Sequence, residues 1–171
     1  MELIEKIKSG DSDAFAALID RHYMTVYRFA FRWCRSCEDA EDITQEVFIK
    51  LADKIRLFDN RSRFTTWLYR VTANHARDHF RKSSKWSKNR LPDPPDEELT
   101  ASTNPGPENN IAARSILDAI HQLPEKQKEA MLLVYAEDMN HKEAAQVLGC
   151  AETTVSWRIF QAKRILRKVL S

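Results

Sequence analysis

Between residues 2 and 83, apolar side chains recur at steps of three and four, and the runs that carry them hold almost no Gly or Pro, as amphipathic helices require. A short helix is predicted over about 2–8. Asp11, Ser12 and Asp13 offer caps for a long helix through Phe15, Leu18, Ile19, Val26, Phe29 and Ala30 to about Cys34. A third helix begins near Glu38 and sets Ile43, Val47, Leu51 and Ile55 on one stripe, with Phe48 beside it. A fourth, from about Arg63 to Lys82, holds Phe64, Trp67, Leu68, Val71 and Phe80, of which Phe64 and Leu68 are expected inside. Further helices are predicted at about 109–122, 125–137, 140–148 and 152–170. No segment alternates cleanly over the roughly four to eight residues of a half-buried strand, so the expected class is all-α.

The pattern breaks once. Five of the six prolines (Pro92, Pro94, Pro95, Pro105 and Pro107) fall close together among Asp93, Asp96, Glu97, Glu98 and Gly106, with almost no apolar area to offset the entropy of ordering. Residues 84–108 are therefore expected to form a flexible acidic linker between two small helical domains, 1–83 and 109–171. The chain of 171 residues has a formal net charge of only +2, but the charge is segregated. Residues 1–60 carry 9 basic and 12 acidic side chains, 61–91 carry 9 and 1, 92–110 carry none and 5, and 111–171 carry 9 and 7. The 3 cysteines cannot make an even disulfide framework, and with no leader expected they point to a reducing, cytoplasmic setting. No run of about 18 apolar residues is present, so no membrane insertion is expected.

The clearest local motif runs from Asn140 to Val155. Asn140 with Glu143 has the form of a capping box, and Gly149 suits the left-handed turn that ends a first helix four residues after the small Ala145. Val155, Ile159, Ala162, Leu166 and Val169 then give a second helix one apolar face, while Arg158, Lys163, Arg164, Arg167 and Lys168 make the other basic. This is the arrangement of a helix-turn-helix, whose second helix enters a major groove with its basic end along phosphates. The alternative is a helical hairpin with a solvated cationic face.

In the N-terminal half the third helix opens with Glu38, Asp39, Glu41, Asp42, Gln45 and Glu46. Acids there favour the helix dipole, yet so dense a set also repels DNA and suits a basic protein partner. The fourth helix is the reverse, with Arg63, Trp67, Tyr69, Arg70, Asn74, Arg77, Arg81 and Lys82 mixing cations, aromatics and an amide. That composition suits single-stranded nucleic acid, where bases stack on rings and cations follow the backbone, although the aromatics also fit a core.

Four stretches in this order resemble the bacterial extracytoplasmic-function (ECF) sigma factors of the sigma-70 family: Asp39 to Lys50, Arg63 to Asn74, Leu123 to Ala130, and the motif at 140–164. The resemblance implies that Asp39, Asp42, Gln45 and Glu46 grip the clamp coiled coil of the largest subunit of RNA polymerase core, with the flap of the second subunit a further contact. It implies that the segment from Asp59 to Lys82 opens and reads the −10 promoter element, with Arg63, Trp67, Tyr69 and Arg70 on the DNA, Asn74 in a pocket for a flipped base under the 59–63 loop, and Arg77, Arg81, Lys82 and Lys85 on phosphates. The second helix of the motif is similar to the −35 reader, so Thr154, Ser156, Trp157, Arg158, Phe160, Gln161, Lys163 and Arg164 are the expected contacts. The sequence departs from the family at Thr153, where Gly is common, at Ser156, where a basic residue is common, at Trp157, where a small one is, and at Gln161, where Arg is. Trp157 either touches DNA or packs inward.

The resemblance further implies promoter DNA and an anti-sigma factor as partners, a stress-responsive role, no cofactor, no metal and no catalysis of its own. A sigma-like decoy, a helix-turn-helix repressor and a CxxC oxidoreductase built on Cys34 and Cys37 are the rival functions, disfavoured by the basic block at 61–91, the N-terminal half and the all-helical pattern respectively. Cys34 is expected to be a buried hydrophobe rather than a thiol sensor or metal ligand. His75 and His79, four apart, are expected to face DNA or solvent rather than a metal, and Cys150 lies in the turn of the helix-turn-helix.

Overall fold

The computed structural model describes residues 2–83 and 115–169, all of it helix, turn and loop, with no strand among the described residues. They belong to two compact units divided between Pro95 and Asp96. The acidic linker at 84–108, Lys85 within it, the predicted helical start at 109–114 and the Val169 side chain lie outside what is described.

The first unit contains α1 (Glu2–Lys8), α2 (Ser12–Cys34), α3 (Cys37–Lys54), a 3-10 turn (Ile55–Leu57) and α4 (Phe64–Ser83). Asp11 caps α2 by accepting from the Ala14 amide at 3.0 Å. That helix stops at Arg35, which takes the left-handed conformation (φ 57°) and returns its amide to Phe31 O. Ser36 at once caps α3, its hydroxyl accepting from the Asp39 amide at 3.2 Å. The junction is thus two residues long, which forces α2 and α3 into a tight pair. Phe29, Ala30 and Trp33 of α2, Ile43, Val47 and Leu51 of α3 and Leu68, Ala73 and Ala76 of α4 form the core. Thr44 and Thr72 are buried with them, each hydroxyl donating to the carbonyl four residues back, Ala40 O at 2.6 Å and Leu68 O at 2.9 Å. Lys8 ties α1 to the loop before α4 by donating to Phe58 O at 2.9 Å.

The second unit contains a helix at 115–121 (α5), α6 (Glu125–Met131), α7 (His141–Leu148) and α8 (Glu152–Val169). The single helix expected over 125–137 is instead α-helical only to Met131 and then widens into a π turn over Leu132–Ala136. The Glu137 amide reaches back five residues to Leu132 O, at 3.1 Å. The wider turn buries both Leu132 and Leu133 and leaves Tyr135 exposed under the Lys163 ammonium, which lies 5.3 Å from the ring centroid.

Candidate nucleic-acid interface

The helix-turn-helix forms as its local chemistry dictates. Asn140 Oδ1 accepts from the Glu143 amide at 2.9 Å, and Glu143 Oε2 accepts from the Asn140 amide at 3.2 Å, closing the capping box. Gly149 sits at φ 65° and the Cys150 amide returns to Ala145 O at 3.1 Å, so α7 ends in the left-handed turn its sequence calls for. Ala144, Ala145 and Val147 on α7 meet Val155, Ile159 and Ala162 on α8 in the interior. The opposite face of α8 is open. Ser156, Lys163, Arg164, Arg167 and Lys168 are exposed, and Thr154, Arg158 and Gln161 are half-buried at its margins. Trp157 is 57% exposed and Phe160 62%, so the indole points outward and the alternative of inward packing is excluded. A large aromatic pair left in water on a cationic face is a costly surface unless something covers it.

On the first unit, α4 places its cations in register. Arg63, Trp67, Arg70, Asn74, Arg77 and Arg81 follow one another at steps of three and four, one stripe along the helix. Arg63, Arg70, Asn74, Arg81 and Lys82 are exposed, while Trp67, Tyr69 and Arg77 are half-buried. The aromatics serve two masters. Trp67 packs against Phe58 and Phe64 with centroids 5.3 and 5.9 Å apart, and Tyr69 meets Phe29 edge-on at 4.9 Å. Leu68 is 2% exposed as expected, but Phe64 is only half-buried, because it sits where α4 begins and leans on the loop residue Phe58. Asn74 is held rather than loose. Arg77 donates to its Oδ1 at 3.2 Å, and the Arg77 guanidinium lies 5.8 Å from the Trp33 ring centroid.

The acidic residues of α3 are divided by the fold. Asp42 and Gln45 are exposed, and Glu46 is half-buried with Lys50 at 3.9 Å. Asp39 faces α4 instead, its carboxylate 2.9 Å from His79 Nε2. His79 and its neighbour one turn back therefore do not face DNA or solvent, contrary to their sequence reading. His75 is 5% exposed, with Nδ1 3.5 Å from Lys50 Nζ and no partner for Nε2. Burial, then the nearby Lys50 and Lys54 charges, push its pKa down. The reason is the direction of α4. Its cationic stripe uses one side of the helix, and the histidines at 75 and 79 fall on the side that packs on α3.

Sequence reasoning missed one exposed apolar residue beside the acids. Ile49, one turn beyond Gln45, is 70% exposed. Its only signal was its place off the apolar stripe of α3. Cys34 is half-buried rather than buried, since it sits at the last residue of α2, yet its thiol donates to Ser36 O at 3.2 Å. Burial pushes that thiol up to about 12, the opposite of what a reactive cysteine needs. Among the described residues no group of three metal-ligating side chains is assembled, and no helix is long and apolar enough to cross a membrane.

Comparison with known proteins covers both units. Residues 18–86 match the family model of sigma-70 region 2, and residues 113–166 match that of sigma-70 region 4. The ECF RNA polymerase sigma-E factor of Haemophilus influenzae is 31% identical over 180 residues, spanning 96% of this chain and 91% of its own. The ECF RNA polymerase sigma factor SigW of Bacillus subtilis is 31% identical over 186 residues, spanning 98% and 94%. Two solved structures share the fold at a TM-score of 0.71: CnrH in complex with the cytosolic domain of CnrY, 24% identical over 98% of this chain and 94% of that one, and the sigma factor RpoE in complex with the anti-sigma factor NepR from Bartonella quintana, 22% identical over 91% and 96%.

Proposed function

The chain belongs to the ECF sigma factors of the sigma-70 family, and from that premise we propose how its own residues divide the work. It is an RNA polymerase-binding factor that directs promoter-specific transcription initiation. The observation that carries the division of labour is the segregation of charge in the first unit: acids exposed on α3, and cations and Asn74 in one stripe on α4.

Asp42, Gln45 and Glu46 form the surface for the basic clamp coiled coil of the polymerase, with Ile49 as its apolar complement, while Asp39 acts through its tie to α4. Arg63, Arg70, Arg81 and Lys82 follow the phosphates of the −10 strand. Trp67 and Tyr69 are only partly available there, since both are half-buried and pack on Phe58, Phe64 and Phe29. Asn74 hydrogen-bonds a base turned out of the stack, held at the right angle by Arg77, and removing that base from the duplex nucleates strand separation. In the second unit α8 lies in the major groove of the −35 element, with Thr154, Trp157, Phe160 and Gln161 toward base edges and Arg158, Lys163 and Arg164 toward phosphates. Residues 1–83 thus serve core binding and the −10 element, 109–171 serve the −35 element and the polymerase flap, and 84–108 join them.

The chain performs no bond chemistry itself and uses no cofactor or metal. It works in the cytoplasm, where polymerase is, and answers a stress signal through capture by an anti-sigma factor, as the sigma factor RpoE is held by the anti-sigma factor NepR. Transcription in vitro with purified RNA polymerase core on a library of random promoters tests the assignment. Starts that share two spaced elements are the expected result; binding to core without any specific start would reduce the chain to a decoy.

A further inference from the structure

His141 opens α7, and its Nδ1 lies 2.8 Å from Ser156 Oγ on the second turn of α8. The same hydroxyl is 3.2 Å from Glu152 O of its own helix. Ser156 has a single proton to give, to Glu152 O or to the imidazole, and the imidazole contact is the shorter. No hydrogen bond within the described residues engages His141 Nε2, and the ring is only partly covered. Ser156 is exposed one turn before Phe160, on the open face of α8. The pair therefore places a ring nitrogen at the edge of that face.

We infer that His141 and Ser156 work as one unit on promoter DNA: the Ser156 hydroxyl donates to Nδ1, and Nε2–H donates to a backbone phosphate flanking the −35 element. The inference rests on the assignment of α8 to that element. A phosphate oxygen only accepts, so a neutral ring must carry its proton on Nε2, and a donor to Nδ1 fixes that tautomer. Ser156 is the donor within reach. Two consequences follow for recognition. The proton of Ser156 is spent inside the protein, so Ser156 donates to no base and discrimination at this end of α8 falls to Trp157, Phe160 and Gln161. The affinity that His141 supplies is also the same for every sequence, because phosphates carry none of the code.

The test uses the full chain assembled with RNA polymerase core, measuring Kd for one promoter and base preference on a library randomised across the −35 element. His141→Ala is expected to weaken binding about tenfold, the weight of one hydrogen bond to a charged group, with base preference unchanged. Glutamine sets an amide nitrogen near the place of Nε2, and asparagine near that of Nδ1. His141→Gln should therefore recover most of the affinity and His141→Asn should not, while Ser156→Ala weakens binding without altering preference. An unchanged Kd for His141→Ala overturns the inference. Recovery by Asn instead of Gln also overturns it, since the pair would then be only a strut between α7 and α8. So does a shift of base preference in His141→Ala, which would make the ring a base reader. If the wild-type chain itself selects no −35 sequence, the assignment of α8 fails instead.

Discussion

At the scale of single residues, half-buried Cys34 and buried His75 are among the groups that set how the first unit responds to pH. Burial, aided by the charge of Asp39, pushes the Cys34 thiol from 9.0 up to about 12. The folded chain keeps that proton where the unfolded chain loses it, so stability is full below about pH 9 and falls as pH rises toward the folded value. Cys34→Ala should flatten this alkaline slope, read as the difference in urea midpoint between about pH 8 and about pH 10 for variant and wild type. His75 runs the other way. Its pKa is depressed below 6.5 by burial and then by Lys50 and Lys54, so the unfolded chain takes up a proton that the folded chain resists. The stability this gives is complete above the unfolded value and is lost as pH falls through the folded one. Urea midpoints from about pH 7 to about pH 5 should therefore fall steeply for wild type and less for His75→Leu. The structural role of Cys34 was legible in the sequence from its place at a helix end, whereas that of His75 was not. A pair of histidines four apart invites chemistry, and only the direction in which α4 packs shows His75 to be structural.

At the scale of elements, legibility followed local chemistry. Every helix with a polar cap and a periodic apolar face begins and ends close to where the sequence places it, because the cap and the stripe are local facts. The exceptions are backbone choices made by packing. Arg35, Asn60 and Asp138 take positive φ without being glycine, and the end of α6 widens to bury two consecutive leucines. Neither Arg35 nor the wider turn carries a residue-type signal, whereas Asn60 and Asp138 are of the types that most readily enter the left-handed region. Gly149 is the reverse, a left-handed position announced by its residue type. A Cβ built there meets nothing within 4 Å, so the cost of adding one is conformational alone. Gly149→Ala should destabilise the second unit by about 1–2 kcal/mol, with Gly149→Asn closer to wild type, as a shift in its thermal midpoint. Equal losses for Ala and Asn would mean that something other than the left-handed turn holds α7 to α8.

At the scale of the whole molecule, the near-zero net charge conceals a segregation: one unit carries an acidic surface on α3, proposed to meet a basic protein, and a basic surface on α4, proposed to meet an acidic polymer. The two surfaces lie on neighbouring helices of one core, α3 and α4, joined by the Asp39–His79 contact. A sign reversal on either should therefore affect one partner and spare the other. Asp42 is exposed on α3 and makes none of the core contacts, so Asp42→Arg should leave the fold intact, lower affinity for polymerase core about tenfold or more, and leave binding of an isolated −35 duplex unchanged. Asn74 is exposed on α4, and Asn74→Ala should keep core affinity while slowing strand separation about tenfold, the weight of a hydrogen bond lost from an extruded base. Core affinity is read by titration of labelled chain, and strand separation by permanganate reactivity of the −10 thymines. The discriminating result is the crossing of the two. If Asp42→Arg impaired melting at saturating core, or Asn74→Ala impaired core binding, the surfaces would be coupled through α3 and α4 and not merely adjacent. Asp39→Asn, which removes the charge facing His79, would then reproduce the coupled defect.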